Sequence, residues 1–159
     1  MAETEAAAGK SNRNPARERS FEKVSVDDYK IGGISKMKQD LMKGVIDMHV
    51  HTNPDLRLRA YDDFELMEAA IRVGARAIVI KTHQGSTVDR AYLCNRHNEI
   101  VHGKTNDFTM FGGITLNRVI GGMNPKAVDV ALRMGAKVVW LPTQSAKNHL
   151  EKMKQDTSQ

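Results

Sequence analysis

Two histidines one residue apart, His49 and His51, close the apolar run Val45-Ile46-Asp47-Met48-His49-Val50-His51. Side chains alternate faces along a strand, so Asp47, His49 and His51 are expected on one side, with the two imidazoles about 7 Å apart at Cα. From there both rings can reach a single metal ion, and neutral imidazole is a common zinc ligand. Six histidines in 159 residues produce such a pair by chance roughly one time in five, so the surroundings must decide. They add weight: an apolar strand leads in, an acid stands two residues before, and the polar Thr52-Asn53-Pro54-Asp55 follows. The same spacing recurs with Lys81 and His83 after a second apolar run, which makes His83 a candidate third ligand. Asn117 and Arg118 follow a third run and have the chemistry to bind a substrate carboxylate or phosphate.

These residues need elements to carry them, and the chain supplies a repeating pattern. Strands are predicted at 45–51, 75–81, 108–114 and 136–142. The first intervening helix runs over about 63–73, with Asp62 as cap, Glu65 three residues on, and Gly74 as stop. The second covers about 88–101, capped by Ser86 or Thr87 and stopped by Gly103. The third opens at Asn124-Pro125 and closes at Gly135; the last spans about 145–155. Strand starts recur about every 30 residues, the length of a β-plus-α unit, and near-continuous apolar strands between amphipathic helices indicate a parallel sheet. The fold class is α/β with about four parallel β/α units. They form either a small open sheet with helices on both faces or half of a TIM-type (β/α)8 barrel. In both, a site belongs at the carboxyl ends of the strands, where the polar residues gather.

Composition bounds the rest. Residues 1–23 are polar and without periodicity and read as a disordered tail; a helix or two is expected over 26–42, and 24–159 reads as one β/α domain. The net charge of +5 is scattered, and no basic block interleaves with aromatics, which argues against nucleic acid as a partner. The single Cys94 allows no internal disulfide and suits a reducing compartment. The acidic, Ala-rich start is unlike a signal peptide, and no apolar run approaches the ~20 residues that cross a bilayer. A cytoplasmic protein without a membrane partner is the expectation.

The opening motif Asp47-Met48-His49-Val50-His51 resembles that of metal-dependent hydrolases with the amidohydrolase barrel, and the first motif of phosphoesterases of the polymerase-and-histidinol-phosphatase type. More text agrees. His49-Val50-His51-Thr52-Asn53-Pro54-Asp55, Ile80-Lys81-Thr82-His83, Phe111-Gly112-Gly113-Ile114-Thr115-Leu116-Asn117-Arg118 and Val139-Trp140-Leu141-Pro142-Thr143 resemble an uncharacterised amidohydrolase-like family of prokaryotic cytosolic proteins, over about residues 40–150. The resemblance implies a (β/α) barrel and a divalent metal on His49 and His51, zinc foremost, with manganese or iron as alternatives. It implies hydrolysis of a C–N, ester or lactone bond in a small molecule. Amidohydrolases add a carbamylated lysine or glutamate after the fourth strand, histidines after the fifth and sixth, and an aspartate after the eighth. Here Thr143 and Gln144 follow the fourth strand, so the chain resembles the N-terminal half of such a barrel, completed by a C-terminal half or by homo-oligomerisation.

Within that frame Lys81 is a carbamylated bridge, an anion contact, or a strand-end lysine reaching solvent. Asp47 orients a histidine, binds a second metal, or is a buried structural acid. Asp55 completes the first-strand loop as a ligand or, the favoured reading of Asn-Pro-Asp, is an ordinary turn residue. His97 and His102 read as surface residues, Cys94 as packing, and His149 faces either site or solvent. Two other functions compete: a phosphoesterase using the same histidines, and a non-catalytic half-barrel that binds metal or oligomerises.

Overall fold

In a computed structural model that describes residues 41–154, the described residues form four parallel strands, each followed by a helix. In chain order they are β1 (Ile46–Val50), α1 (Asp63–Arg72), β2 (Ala77–Ile80), α2 (Val88–His102), β3 (Thr109–Thr115), α3 (Pro125–Arg133), β4 (Val138–Trp140) and α4 (Lys147–Lys152). A single turn of 3-10 helix, Arg118–Ile120, follows β3. The expected tail at 1–23, and all but the last two residues of the helical stretch at 26–42, lie outside the described residues.

Each β/α junction is written in local chemistry. Asp62 accepts the Glu65 backbone N–H at 2.8 Å while the Glu65 carboxylate accepts that of Asp62 at 2.9 Å, the reciprocal capping box expected at α1. Asn124 caps α3 by accepting the Ala127 N–H, with Pro125 in the first turn. Thr87 differs from expectation. Its hydroxyl makes no cap bond; it donates to the Ile80 carbonyl at 2.7 Å and accepts the Gly113 N–H at 3.0 Å, tying α2 to two strands at once.

The strand order is β1-β2-β3-β4, each paired in parallel with its sequence neighbour. A doubly wound sheet reverses its order at a switch point and puts helices on both faces. Here the order never reverses, so the helices share one side and the other side is free to curl. The result is a half-barrel of the TIM type. Ile78, Ile80 and Met110 enter the helix-side core with Met67, Ala70, Ala91 and Cys94; Val88, Ile114, Leu116, Ala131 and Ala136 form a second cluster under α3. Gly112 permits this packing, because a Cβ there would lie 2.6 Å from the Val88 Cα.

On the concave face Trp140, itself half-buried, lies on Gly113, where a Cβ would meet the indole at 2.4 Å. Over that gap Trp140, on outer strand β4, reaches Lys81, just after β2, whose Nζ is 5.1 Å from the ring centroid, and His49 on outer strand β1, centroids 5.9 Å apart. Side chains of first and last strands therefore meet across the curl.

Candidate functional site

β1 contains the one irregularity that governs the site. Its pairing with β2 shifts between Asp47, opposite Ile78, and Val50, opposite Ile80. Ile78 and Ile80 enter the helix-side core, and Val50 packs on that core too. One extra residue on β1 thus interrupts the alternation that placed Asp47 with the imidazoles. Asp47 sits opposite a helix-facing position, and its carboxylate accepts the His49 backbone N–H at 2.9 Å rather than an imidazole proton. The expected Asp47-His49-His51 face is corrected to a His49-His51 pair.

The pair itself converges. His49 Nε2 and His51 Nε2 stand 3.2 Å apart. Two nitrogens at Zn–N lengths of about 2.0–2.1 Å on a tetrahedral ion lie about 3.3 Å apart, so the separation fits a shared ion; it equally fits an N–H···N bond between neutral rings. Burial, then the nearby Lys81 charge, lowers the His49 pKa against the opposing pull of Asp47. Burial, then Arg59 and the two other imidazoles, lowers His51 to about 4. Both rings are therefore neutral near pH 7, the form that ligates. Behind the pair, His51 Nδ1 is buried without a hydrogen bond, its nearest carboxylate oxygen, Asp55 Oδ2, being 3.7 Å away.

His83 comes to the site in a different posture. Its ring stacks on His51, centroids 4.8 Å apart and planes 29° from parallel, and its Nδ1 is 2.9 Å from Thr143 Oγ1. Burial, then Lys81, lowers its pKa. Among the described residues no three His, Cys, Asp or Glu side chains are grouped to hold a metal ion, so His83 stands beside the pair as a stacking partner. The residues present fit two protein ligands.

Lys81 is 3 % exposed, not a lysine reaching solvent, and burial lowers its pKa. No carboxylate pairs with it among the described residues; indole and imidazoles surround it. Asn117 is buried and its amide is fully engaged. It donates to the His83 carbonyl at 2.9 Å and to Thr143 Oγ1 at 3.1 Å, and accepts the Thr143 and Ser145 N–H groups at 2.9 and 3.1 Å. It clasps the β2 and β4 loops and has no donor left for a substrate. Arg118 begins the 3-10 turn, its backbone N–H donating to Ser145 Oγ at 2.9 Å.

Sequence reasoning passed over Arg59 and Trp140 as site residues and left Asp55 and His149 undecided or on the bland side. Asp55, read as a turn, is 4 % exposed at its side chain and bonds Arg59 Nε at 2.7 Å; burial raises its pKa, but the Arg59 and Leu56 hydrogen bonds outweigh it and the net shift is downward. Arg59 is held in turn by Asn53, whose amide bonds its backbone at both carbonyl and N–H. Trp140 offered no signal beyond a strand pattern. His149, left open, lines a cavity of about 450 Å³ together with His83, Arg57 and Arg59. The bland readings of the other candidates fit their surroundings. Cys94 is buried, with burial, then Asp63, pushing its thiol up to about 12; His102 pairs with Glu68 at 2.8 Å, and His97 packs on Phe64.

The chain belongs to a family of unknown function, DUF6282, whose model matches residues 44–159. That span holds the four β/α units and every candidate site residue. No curated protein and no solved structure matches the chain. Among the described residues no helix is long and apolar enough to cross a membrane.

Proposed function

We propose that the concave face is the metal-binding half of a hydrolase site of the amidohydrolase type, acting on a C–N, ester or lactone bond. The observation that supports it most is the 3.2 Å convergence of His49 Nε2 and His51 Nε2 at the carboxyl end of β1. His49 and His51 would hold a divalent ion, zinc before manganese or iron. Such an ion polarises a carbonyl or phosphoryl oxygen and makes water acidic enough to attack near neutral pH.

The chain's own residues divide the remaining work. Asp55 Oδ2, 3.7 Å from His51 Nδ1, is the carboxylate oxygen that would orient that ring if it closed to hydrogen-bond distance, as carboxylates behind metal-bound histidines do. Lys81 presents a cation with no paired carboxylate among the described residues, and so receives negative charge that develops on a substrate oxygen. Trp140 lies beside Lys81 and helps keep that lysine from water, which strengthens its interaction with an anion. Asn117 fixes the loops that carry His83 and Thr143. Catalytic zinc sites take three protein ligands, so a third ligand and a carboxylate base come from residues other than this pair. β1 and β4 are the outer strands of the described sheet, and strands added at those edges, from this polypeptide or a second copy, would bring them.

The test is metal content. Protein loaded with zinc, manganese or iron and then desalted should retain one equivalent. Losing a group that merely orients a ligand costs about 10–100-fold in affinity, so alanine at both His49 and His51 should weaken binding by at least about 100-fold. Equal metal content in wild type and double variant would sink the reading. The phosphoesterase alternative keeps the same pair and is favoured by the arginines beside it; assay of amide, lactone and phosphate-ester substrates on the metal-loaded protein separates the two.

A further inference from the structure

The cavity beside the imidazole pair has a charge pattern of its own. About 450 Å³ in volume, it lies between the β1–α1 loop and the β4–α4 segment, a size that suits a small molecule. Its lining carries Arg57, Arg59, His83 and His149, with the Gln144 amide, against one carboxylate, Asp55. That carboxylate is withdrawn: its side chain is 4 % exposed, Oδ2 bonds Arg59, and Oδ1 accepts the Leu56 N–H at 2.6 Å. Arg59 keeps guanidinium donors beyond those given to Asp55, and is held in place by Asp55 at its side chain and by Asn53 at its backbone. Arg57 has no ion pair among the described residues. A fixed guanidinium, a second uncompensated one and further N–H donors around one cavity are the elements of an oxyanion receptor.

We infer that this cavity binds the anionic group of the substrate, a phosphate monoester or a carboxylate, and holds the scissile bond toward His49 and His51. The inference rests on the reading of this face as a substrate site and not on whether an ion is held there. His83 joins the two, since it lines the cavity and stacks on His51. Pre-organisation sets which arginine matters for what: Arg59 shapes the receptor, while Arg57 adds charge without supporting the loop.

The experiment is calorimetric titration of the full chain in chelator, first with inorganic phosphate and then with acetate, so that failure of metal binding leaves it unaffected. Saturable one-site binding is expected, and Arg57→Gln should weaken it by about tenfold with melting unchanged. Arg59→Gln should weaken it further, though it also disturbs the Asp55 loop, so Arg57→Gln carries the decision. Lys126→Gln, an exposed charge on α3, should leave binding as it is. Tighter phosphate binding assigns a phosphate monoester, tighter acetate binding a carboxylate. Absence of binding by both anions, or equal binding by wild type and Arg57→Gln, overturns the inference.

Discussion

The sheet has a cavity at each end, and the two are nearly equal in size. The one at the amino ends of the strands, about 470 Å³, is lined by the end of α1 and the turn after it, Ile71 to Arg76, and by Asn106, Asp107 and Phe108. Its charged groups are exposed; Arg76 reaches the Asp107 carbonyl at 2.8 Å and its carboxylate at 3.7 Å. The one at the carboxyl ends, about 450 Å³, adjoins three imidazoles with lowered pKa values and a buried lysine. Volume alone does not separate them. The difference is that parallel strands all end together, so one end collects the residues that follow each strand while the other collects helix stops and glycines. Changes at the carboxyl end should therefore alter ligand binding, and changes at the amino end should alter stability alone.

The comparison is most exposed at Arg90, which underpins the carboxyl end without being part of its chemistry. Its guanidinium bonds both oxygens of Asp63 at 2.7 Å, Thr52 Oγ1 at 2.8 Å and the Asn53 carbonyl at 3.1 Å. Both partners are largely buried, so Arg90→Ala leaves a carboxylate uncompensated and should cost about 3 kcal/mol by urea denaturation. A loss under about 1 kcal/mol would show that the loops stand on something else.

Gly113→Ala probes the floor between the ends. An added Cβ meets both the Trp140 ring and the Val138 carbonyl oxygen at 2.6 Å, so the indole must move, at roughly 2 kcal/mol. Trp140 is the only tryptophan in the chain, so its fluorescence reads this site alone. The emission should shift toward the red; an unchanged spectrum would contradict the packing of the indole on Gly113.

Gly74→Ala is the amino-end control. Gly74 has φ of 71°, a left-handed conformation that costs an L-residue about 1 kcal/mol. Stability should fall by that amount with phosphate and metal binding unchanged. Altered binding would break the division between the two ends.

The carboxyl end can also be tested through the pH dependence carried by His51. Its folded pKa, about 4, lies below the ordinary 6.5, so between those values the unfolded chain binds the proton more readily. Stability is therefore full above pH 6.5 and declines as pH falls toward 4. In chelator, His51→Ala should lose less stability than wild type between pH 7 and pH 5. An identical loss in both proteins would place the acid sensitivity elsewhere.

Much of this was legible residue by residue. The capping box at Asp62 and Glu65, the Asn124-Pro125 start of α3, the stops at Gly74 and Gly103 and the four apolar strands are local, set by backbone chemistry within a few residues. The His49-His51 pair was legible for the same reason, since strand spacing is a local property. Asp55 was legible only as the less favoured of two readings, because Asn-Pro-Asp reads as a turn whether or not an arginine four residues on draws it inward. The face of Asp47 was not legible, because a bulge depends on the partner strand and β1 has no glycine to announce it.

The sequence by itself determined the α/β class, the order of the units and the end of the sheet where the candidate polar residues gather, because strand direction and local caps suffice for all three. The tertiary structure decided that the sheet curls as a half-barrel, since periodicity is blind to whether strand order reverses. It also decided that Trp140 and His49 meet from opposite edges, that His83 stacks on His51, and that Lys81 is enclosed. Those contacts join residues 30 to 90 positions apart, and only the packing of strands against one another brings them within reach.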